Sequence, residues 1–372
     1  MVIYLDHNAT TPIAPEVVAV IRPYLERQFG NPSSAHAYGT AASAAVDRAR
    51  AQVAGLLGAE PDTVTFTGSG SEADTLAIIG VALARLGERD HVVRSAVEHP
   101  AVIAACRYLE RRFSFRVTVV PVDAYGLVDP DDVRRALEPG TALVSVMHAN
   151  NEVGTIQPIA EVAAVAREHG VLVHTDAAQS VGKVRVDVDE LGVDLLTVVG
   201  HKMYAPKGIG ALYVRPATRI DSVIHGAGHE HGLRAGTENV PYIAGLGAAA
   251  TLGARRLAAG AHLDMQRLRD RLHAALPDVS LNGHPERRLP NTLNVSFPGV
   301  DGEALLARTP AIAAATGSAC HSGRTEPSAV LVAMGFDERR ALGAVRLSLG
   351  YDTTAAEVDA AAAALTDALV PA

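Results

Sequence analysis

Cysteine is scarce in this chain: Cys106 and Cys320 are the only two among 372 residues. They share no CxxC spacing, which excludes a disulfide framework and a structural zinc site. Long apolar runs are also missing; none approaches the roughly 18 residues that span a bilayer. The opening residues, MVIYLDHNATTP, hold no basic leader followed by an apolar block, so they do not read as a secretory signal. Nor is positive charge in excess. A net charge of −8 gives no overall attraction to nucleic acid or to an anionic membrane. These absences predict a cytoplasmic protein without direct nucleic-acid or membrane partners.

What is present predicts a globular α/β protein. Hydrophobic residues make up 48% of the chain and charged ones 20%, which excludes a disordered chain. The length suggests two domains. Short β-branched runs (DTVTF, HVVRSAV, ALVSVMHA, VLVHTDAAQ, DLLTVVGHK, GIGALYV) alternate with Ala-rich helical stretches. Such alternation predicts a mostly parallel, mixed sheet with helices on both faces. After about Gly260 the pattern changes. A long helix around HLDMQRLRDRLHAAL precedes NTLNVSF, PAIAAA and AVRLSLG, which suit a smaller α+β domain. Residues 13–258 are therefore expected to form the large domain, and 1–12 with 259–372 the small one. GHPERRLP is the expected flexible connector.

Polar residues stand where the apolar runs stop: Ser71, His99, Asn151, Asp176 and Lys202. In open parallel sheets ligands sit beyond the carboxyl ends of the strands. Five such groups on one edge are hard to explain as structural. In TGSGSEAD, a glycine-rich strand–helix turn can hold an anion at the positive end of the helix. The same residues also fit a plain capped helix, with Ser71 at the N-cap and Asp74 three residues on. Asp176 ends a buried run, where a carboxylate is costly unless paired; a cofactor with a protonated nitrogen would pair it, and capping of the next turn is the alternative. Lys202 lies between two apolar runs. Desolvation lowers a lysine pKa and yields the amine that forms Schiff bases.

Cys320 lies in TGSACHSG. A lone cysteine is usually core filler, but Gly317, Ser318, Ser322 and Gly323 make poor core and good loop. Arg324 and His321 are placed to stabilise a thiolate. Cys106, in AVIAACRYLE, reads as structural. His225, His229 and His231 lie close together in HGAGHEHG, but the spacing lacks a cysteine or a supporting acid, so no metal site is expected.

In order along the chain, YLDHNATTP, GNPSSAHAYG, HANNEVGTIQP, HTDAAQSVGK, GHKMYAPKGIGALYV, RAGTENV and TGSACHSG resemble the successive motifs of the cysteine desulfurases. These are pyridoxal-phosphate (PLP) enzymes of the class V aminotransferase family and of transferase fold type I. The similarity is greatest to the branch serving iron–sulfur assembly and tRNA thiolation, with its longer cysteine loop; the RxGxHCA-like segment of the other branch is absent. The resemblance implies that the large domain binds PLP and that the small one carries the cysteine loop. Lys202 would anchor PLP covalently and shuttle protons, Asp176 would pair with the ring nitrogen, and Gln179 would hydrogen-bond the ring's phenolic oxygen. His99 would stack on the ring and act in acid–base steps. Gly70, Ser71 and His201 would hold the phosphate, joined by Thr237 of a second subunit in a homodimer. Asn151 and Arg346 would grip the carboxylate of L-cysteine. Cys320 would accept the sulfur as a persulfide, release L-alanine and pass the sulfur to an acceptor protein.

Two departures from the family pattern stand out. Val199 occupies a place where relatives usually carry Ser or Thr that donates to the phosphate. A C-terminal extension associated with docking an iron–sulfur scaffold is lacking, which shifts the expectation slightly toward tRNA thiolation or a specialised pathway. The competing expectations are a selenocysteine lyase or another PLP C–S lyase, and a non-enzymatic adaptor on the same fold.

Overall fold

The computed structural model describes residues 2–317, 319–321 and 324–369. A two-stranded pairing near the N-terminus joins β1 (Ile3–Tyr4) to a later segment. The main sheet uses β2 (Val64–Thr67), β3 (His91–Ser95), β4 (Arg116–Val120), β5 (Thr141–Ser145), β6 (Leu172–Asp176), β7 (Leu195–Val199) and β8 (Gly210–Val214). Their spatial order is β2-β8-β7-β6-β5-β3-β4. β8 runs antiparallel to both neighbours, and every other pairing is parallel. The mixed, mostly parallel sheet expected from the alternation is the one formed.

Successive strand residues face opposite sides of a sheet. Val92, Leu143 and Leu195 accordingly enter a core under the helices Gly70–Ala84 and Pro100–Phe113, with Leu76, Cys106 and Leu109. Their neighbours Val93, Val144 and Leu196 enter the core on the other face, with Ile21, Val46 and Ile159. Burial on both faces is why these strands are continuous apolar runs. Helices α1 (Pro15–Glu26) and α2 (Ala37–Leu57) cover the second face with the helix Val240–Ala258. Helices α3 (Gly70–Ala84) and α4 (Pro100–Phe113) cover the first.

A separate core surrounds β9 (Ser280–Asn282), β10 (Thr292–Ser296) and, at the far edge, the strand Ala344–Ser348, paired antiparallel in the order Ala344–Ser348, β10, β9. Leu293, Val295, Val345 and Leu347 pack there against Leu272 of the helix Ala261–Ala275 and Leu365 of the helix Ala355–Asp367. Leu5 belongs to this core, and β1 pairs in parallel with β11 (Ile312–Ala313). β12 (Ala319–His321) and β13 (Arg324–Glu326) form an antiparallel hairpin in which the backbone of Cys320 faces that of Thr325. The last strand, Ala344–Ser348, is β14.

Two local expectations fail. The segment GHPERRLP is not a free connector: the Ile156 N–H donates to the Arg287 carbonyl at 2.9 Å, Arg288 bridges to Thr155, and the Arg288 side chain is buried. A backbone pairing of this kind depends on residues far away in sequence. Ser71 is not the N-cap of α3. Ser69 fills that place, its hydroxyl accepting from the Glu72 N–H, while the Glu72 carboxylate accepts from the Gly68 N–H. Asp74 takes no part in the cap and is buried instead. Among the described residues no helix is long and apolar enough to cross a membrane.

Candidate active site

The carboxyl ends of β2, β3, β5, β6 and β7 bring their polar residues to one cavity of about 370 Å³. Gly70, Ser71, His99, Asn151, Asp176, Gln179, His201, Lys202 and Arg346 all line it. The sequence points to every one of these residues. Arg346 comes from β14, so the small core supplies one wall.

Lys202 follows β7 in a single 3-10 turn, and its amine donates to the carbonyls of Asn8 and Ala9 at 2.6 and 2.7 Å. Burial, reinforced by the positive charge of Arg346, lowers its pKa to about 8. Asp176 closes β6, and its Oδ1 accepts from the Ala178 N–H at 2.9 Å. Burial raises its pKa. A cation beside it would reverse that shift, since an opposite charge favours the ionised form.

His99 is the N-cap of α4. Its Nδ1 accepts from the Ala101 N–H at 3.1 Å, so Nδ1 carries no proton and the neutral ring holds its proton on Nε2. Burial lowers its pKa, which keeps it neutral. His201, lowered to about 4 chiefly by burial, pairs through Nδ1 with the Thr10 hydroxyl. The Gln179 amide donates to the Asn8 carbonyl at 3.0 Å, while its Oε1 accepts from the buried Lys183 amine at 2.8 Å. Arg346 donates through Nη2 to Asp6 at 2.7 Å and through Nη1 to the Asn151 carbonyl at 3.1 Å. Its Nε is buried without a partner among the described residues.

The donor set suits an elongated ligand, anionic at one end and cationic at the other. The first turn of α3 leaves the N–H groups of Gly70 and Ser71 without helical partners, and the helix dipole adds partial positive charge there. A Cβ on Gly70 would lie 2.3 Å from Val199 Cγ2, so only glycine fits this close approach. Across the cavity Asp176 offers an anion and Lys202 an amine. PLP has this shape and polarity: a phosphate, an aldehyde and a basic ring nitrogen.

Several lining or supporting residues escape a reading of the sequence: Asn8 and Ala9, Asp6, Lys183 and the buried Asp74. Asn8 and Ala9 lie in YLDHNATTP, which is the available signal. Asp74 has the spacing of a cap residue. Asp74, His99 and Asp176 each present an oxygen or nitrogen within 4.8 Å of one another. Two expected residues are not placed at the cavity. Thr237 is exposed, and the thiol of Cys320 lies outside the described residues. Its strand is nevertheless tethered close by. Ala315 exchanges backbone hydrogen bonds with Arg346, and Ala315, Thr316 and Gly317 line a neighbouring recess that shares Asn151 and Arg346 with the main cavity. Five extended residues reach at most about 17 Å from that anchor. Cys106 is buried, with its pKa pushed up to about 12 by burial, as suits an inert core thiol.

The aminotransferase class V family model matches residues 3–361. A cysteine desulfurase named IscS from Methanosarcina thermophila is 45% identical over 362 residues, covering 96% of this chain and 89% of that protein. The chain belongs to the cysteine desulfurase family. Among solved structures, this desulfurase fold is similar to a NifS-like protein with a TM-score of 0.93 at 35% identity, covering 99% of both chains. It is also similar to SspA in complex with cysteine, with a TM-score of 0.83 at 37% identity over 93% of this chain and 98% of that one. These relatives place the fold in type I of the PLP-dependent transferases.

Proposed function

We propose that this desulfurase uses PLP, held between α3 and β6 and anchored at Lys202, to convert L-cysteine to L-alanine while Cys320 accepts the sulfur. The observation that carries the reading is the convergence of a desolvated lysine, a buried aspartate and a helix N-terminus on one cavity whose far wall is an arginine. SspA, similar over most of the chain, binds cysteine, which supports L-cysteine as the substrate.

The bound cofactor supplies an electron sink next to the substrate's α-carbon. The chain's residues do the rest. Gly70, Ser71 and His201 would hold the phosphate, Gln179 the phenolic oxygen and Asp176 the ring nitrogen. His99 would pack against the ring. Arg346 and Asn151 grip the substrate carboxylate, for which Asp6 must yield one guanidinium hydrogen bond or the free Nε must serve. Once its amine is released by substrate, Lys202 takes the α-proton. The Cys320 thiolate then attacks the substrate sulfur. The carbon–sulfur bond breaks with its electron pair on the β-carbon, a proton from His99 quenches that carbon, Lys202 returns a proton to the α-carbon, and alanine leaves. The product on the protein is a persulfide for an acceptor protein, in iron–sulfur assembly, tRNA thiolation or a specialised sulfur pathway.

The same reading includes a large domain of 13–258 and a small one of 1–12 and 259–372, carrying the cysteine hairpin. It includes a homodimer in which Thr237 of each subunit completes the phosphate site of the other, and a cytoplasmic location without nucleic-acid or membrane partners. The separate core around β9, β10 and β14 and the exposed Thr237 support the first two of these points.

The test is Cys320→Ala. The variant is expected to stay yellow, to lose its colour on borohydride treatment, and to release no sulfide from L-cysteine. Full sulfide release would overturn the persulfide role and favour a lyase. A wild-type protein that PLP cannot colour would favour an adaptor. Sedimentation of the holoenzyme checks the dimer; full PLP binding by a monomer would remove the role given to Thr237.

A further inference from the structure

Asp74 is a buried group that the proposed reaction leaves without a task. It projects from the second turn of α3 into the wall of the cavity, and its side chain is only 2% exposed. Its Oδ1 has no hydrogen-bond partner among the described residues, and Nε2 of His174 stands 3.6 Å away. That nitrogen is already engaged with the Thr197 hydroxyl at 3.1 Å, and Nδ1 of the same ring with Ser145 at 2.9 Å. Across from Asp74 lies Asp176, with ligand-type atoms of the two residues and of His99 all within 4.8 Å of one another. Two buried acids therefore face each other in the cavity wall.

The charges around the pair come from every element packed on it. From β6 come Asp176 and His174, the latter held neutral by burial, its pKa lowered to about 3. From β7 comes the uncharged Thr197, which works against burial by lowering the pKa of Asp74. From the turn before α4 come His99, neutral for the reasons given above, and Glu98. Glu98 is itself buried, and its pKa is raised to about 8 by that burial. Among the described residues the cationic group facing the pair is Lys202, and an anchored cofactor would pair that charge with its own phenolic oxygen. A protonated ring nitrogen then brings one positive charge, which one carboxylate can match. A second ionised carboxylate at this spacing has nothing to balance it.

We propose that in the loaded enzyme Asp74 and Asp176 carry a single negative charge between them, with Asp74 the protonated member and a positioning residue for Asp176. As a neutral acid Asp74 can turn its O–H to the facing Asp176 carboxylate and hold that carboxylate toward the ring nitrogen. It thereby leaves one anion, rather than two, to set the proton affinity of the ring. Burial raises the pKa of Asp74 well above the ordinary carboxyl range, and the charge of Asp176 adds to this. The inference rests on the reading of the cavity as a PLP site.

The test uses holoenzyme loaded with PLP. Infrared spectra of the wild type at pH 7 are expected to contain a protonated-carboxyl C=O stretch that shifts in D2O. Part of that band is expected to vanish in Asp74→Asn and to survive in Glu98→Gln. Asp74→Asn, a neutral isostere, is expected to keep the wild-type visible maximum, with the pH midpoint of that band changed by less than about threefold in proton affinity. Asp74→Ala, which removes the donor, is expected to retain cofactor about tenfold less well on dialysis. An Asp74→Asn protein with its carboxyl band intact, or with a larger shift of midpoint, overturns the assignment. Should that variant not fold, a wild-type or Glu98→Gln spectrum without a protonated-carboxyl band overturns it equally. A wild-type protein that takes up no PLP brings down the cofactor reading, and this inference with it. Normal loading with failed Asp74 arms brings down this inference alone.

Discussion

At the scale of single residues, the site works by desolvation. Lys202 is a cation held where water solvates it poorly, and its lowered pKa of about 8 leaves roughly one amine in ten unprotonated at pH 7. The apoprotein should therefore capture PLP faster as pH rises, with a midpoint near 8. Stopped-flow growth of the visible band checks this, and a flat profile between pH 6 and about 9 would contradict it. Arg346 is the second case. Its contact with a substrate carboxylate is charge-assisted, of the order of 1.5–3 kcal/mol. Arg346→Ala should then raise KM for L-cysteine by about 10- to 100-fold, with a smaller effect on the visible band of bound PLP. Val199 is the third. Val199→Thr keeps the side-chain outline and restores a hydroxyl on the cavity wall, where Val199 is nearly buried. PLP should bind up to about tenfold more tightly, measured by equilibrium dialysis.

At the scale of elements, two helix starts do most of the positioning. The α3 turn needs glycine at position 70 because β7 ends with Val199 packed against it. The clash built by Gly70→Ala would push the turn away from the cavity, and cofactor retention should fall by at least about tenfold. The α4 turn uses His99 both as cap and as cavity residue. These roles can be separated. His99→Ala should lose the cap, costing about 1 kcal/mol in thermal unfolding. His99→Asn should keep the cap and its stability, because asparagine is among the best N-cap residues. Both should lose turnover. If His99→Asn unfolds as easily as His99→Ala, the cap assignment is wrong.

At the scale of the whole molecule, the first dozen residues join the two cores to the site. Leu5 is fully buried in the small core, Asp6 bridges to Ser348, and the Thr11 N–H donates to the His201 carbonyl at 2.9 Å. Between them Asn8 and Ala9 present the carbonyls that receive the Lys202 amine. Leu5→Ala should cost about 2–5 kcal/mol in denaturant unfolding. It should also weaken PLP retention although Leu5 does not line the cavity, since the strap that carries Asn8 is no longer pinned. Unchanged retention in a destabilised Leu5→Ala protein would show that the strap is held from the side of the main sheet alone.

Much of this arrangement is legible in the chain itself. Strands buried on both faces must be continuous apolar runs, so β5, β6 and β7 announce themselves, and polar residues at their ends fall on one edge by the rule of parallel connection. That is why the pattern alone groups Ser71, His99, Asn151, Asp176 and Lys202. What sequence does not decide depends on contacts between distant segments. Ser69 rather than Ser71 caps α3, because the cap is fixed by which backbone amides lie within reach. Arg288 is buried and Arg346 is tied to Asp6, because partners far away in the chain enclose them. Asp74 is the sharpest instance. Its spacing reads as a helix cap, and only packing turns it inward to face Asp176. Local pattern determines which elements form and what chemistry they carry; desolvation, the leading cause of the shifted pKa values in the cavity, exists only once the chain has closed around it.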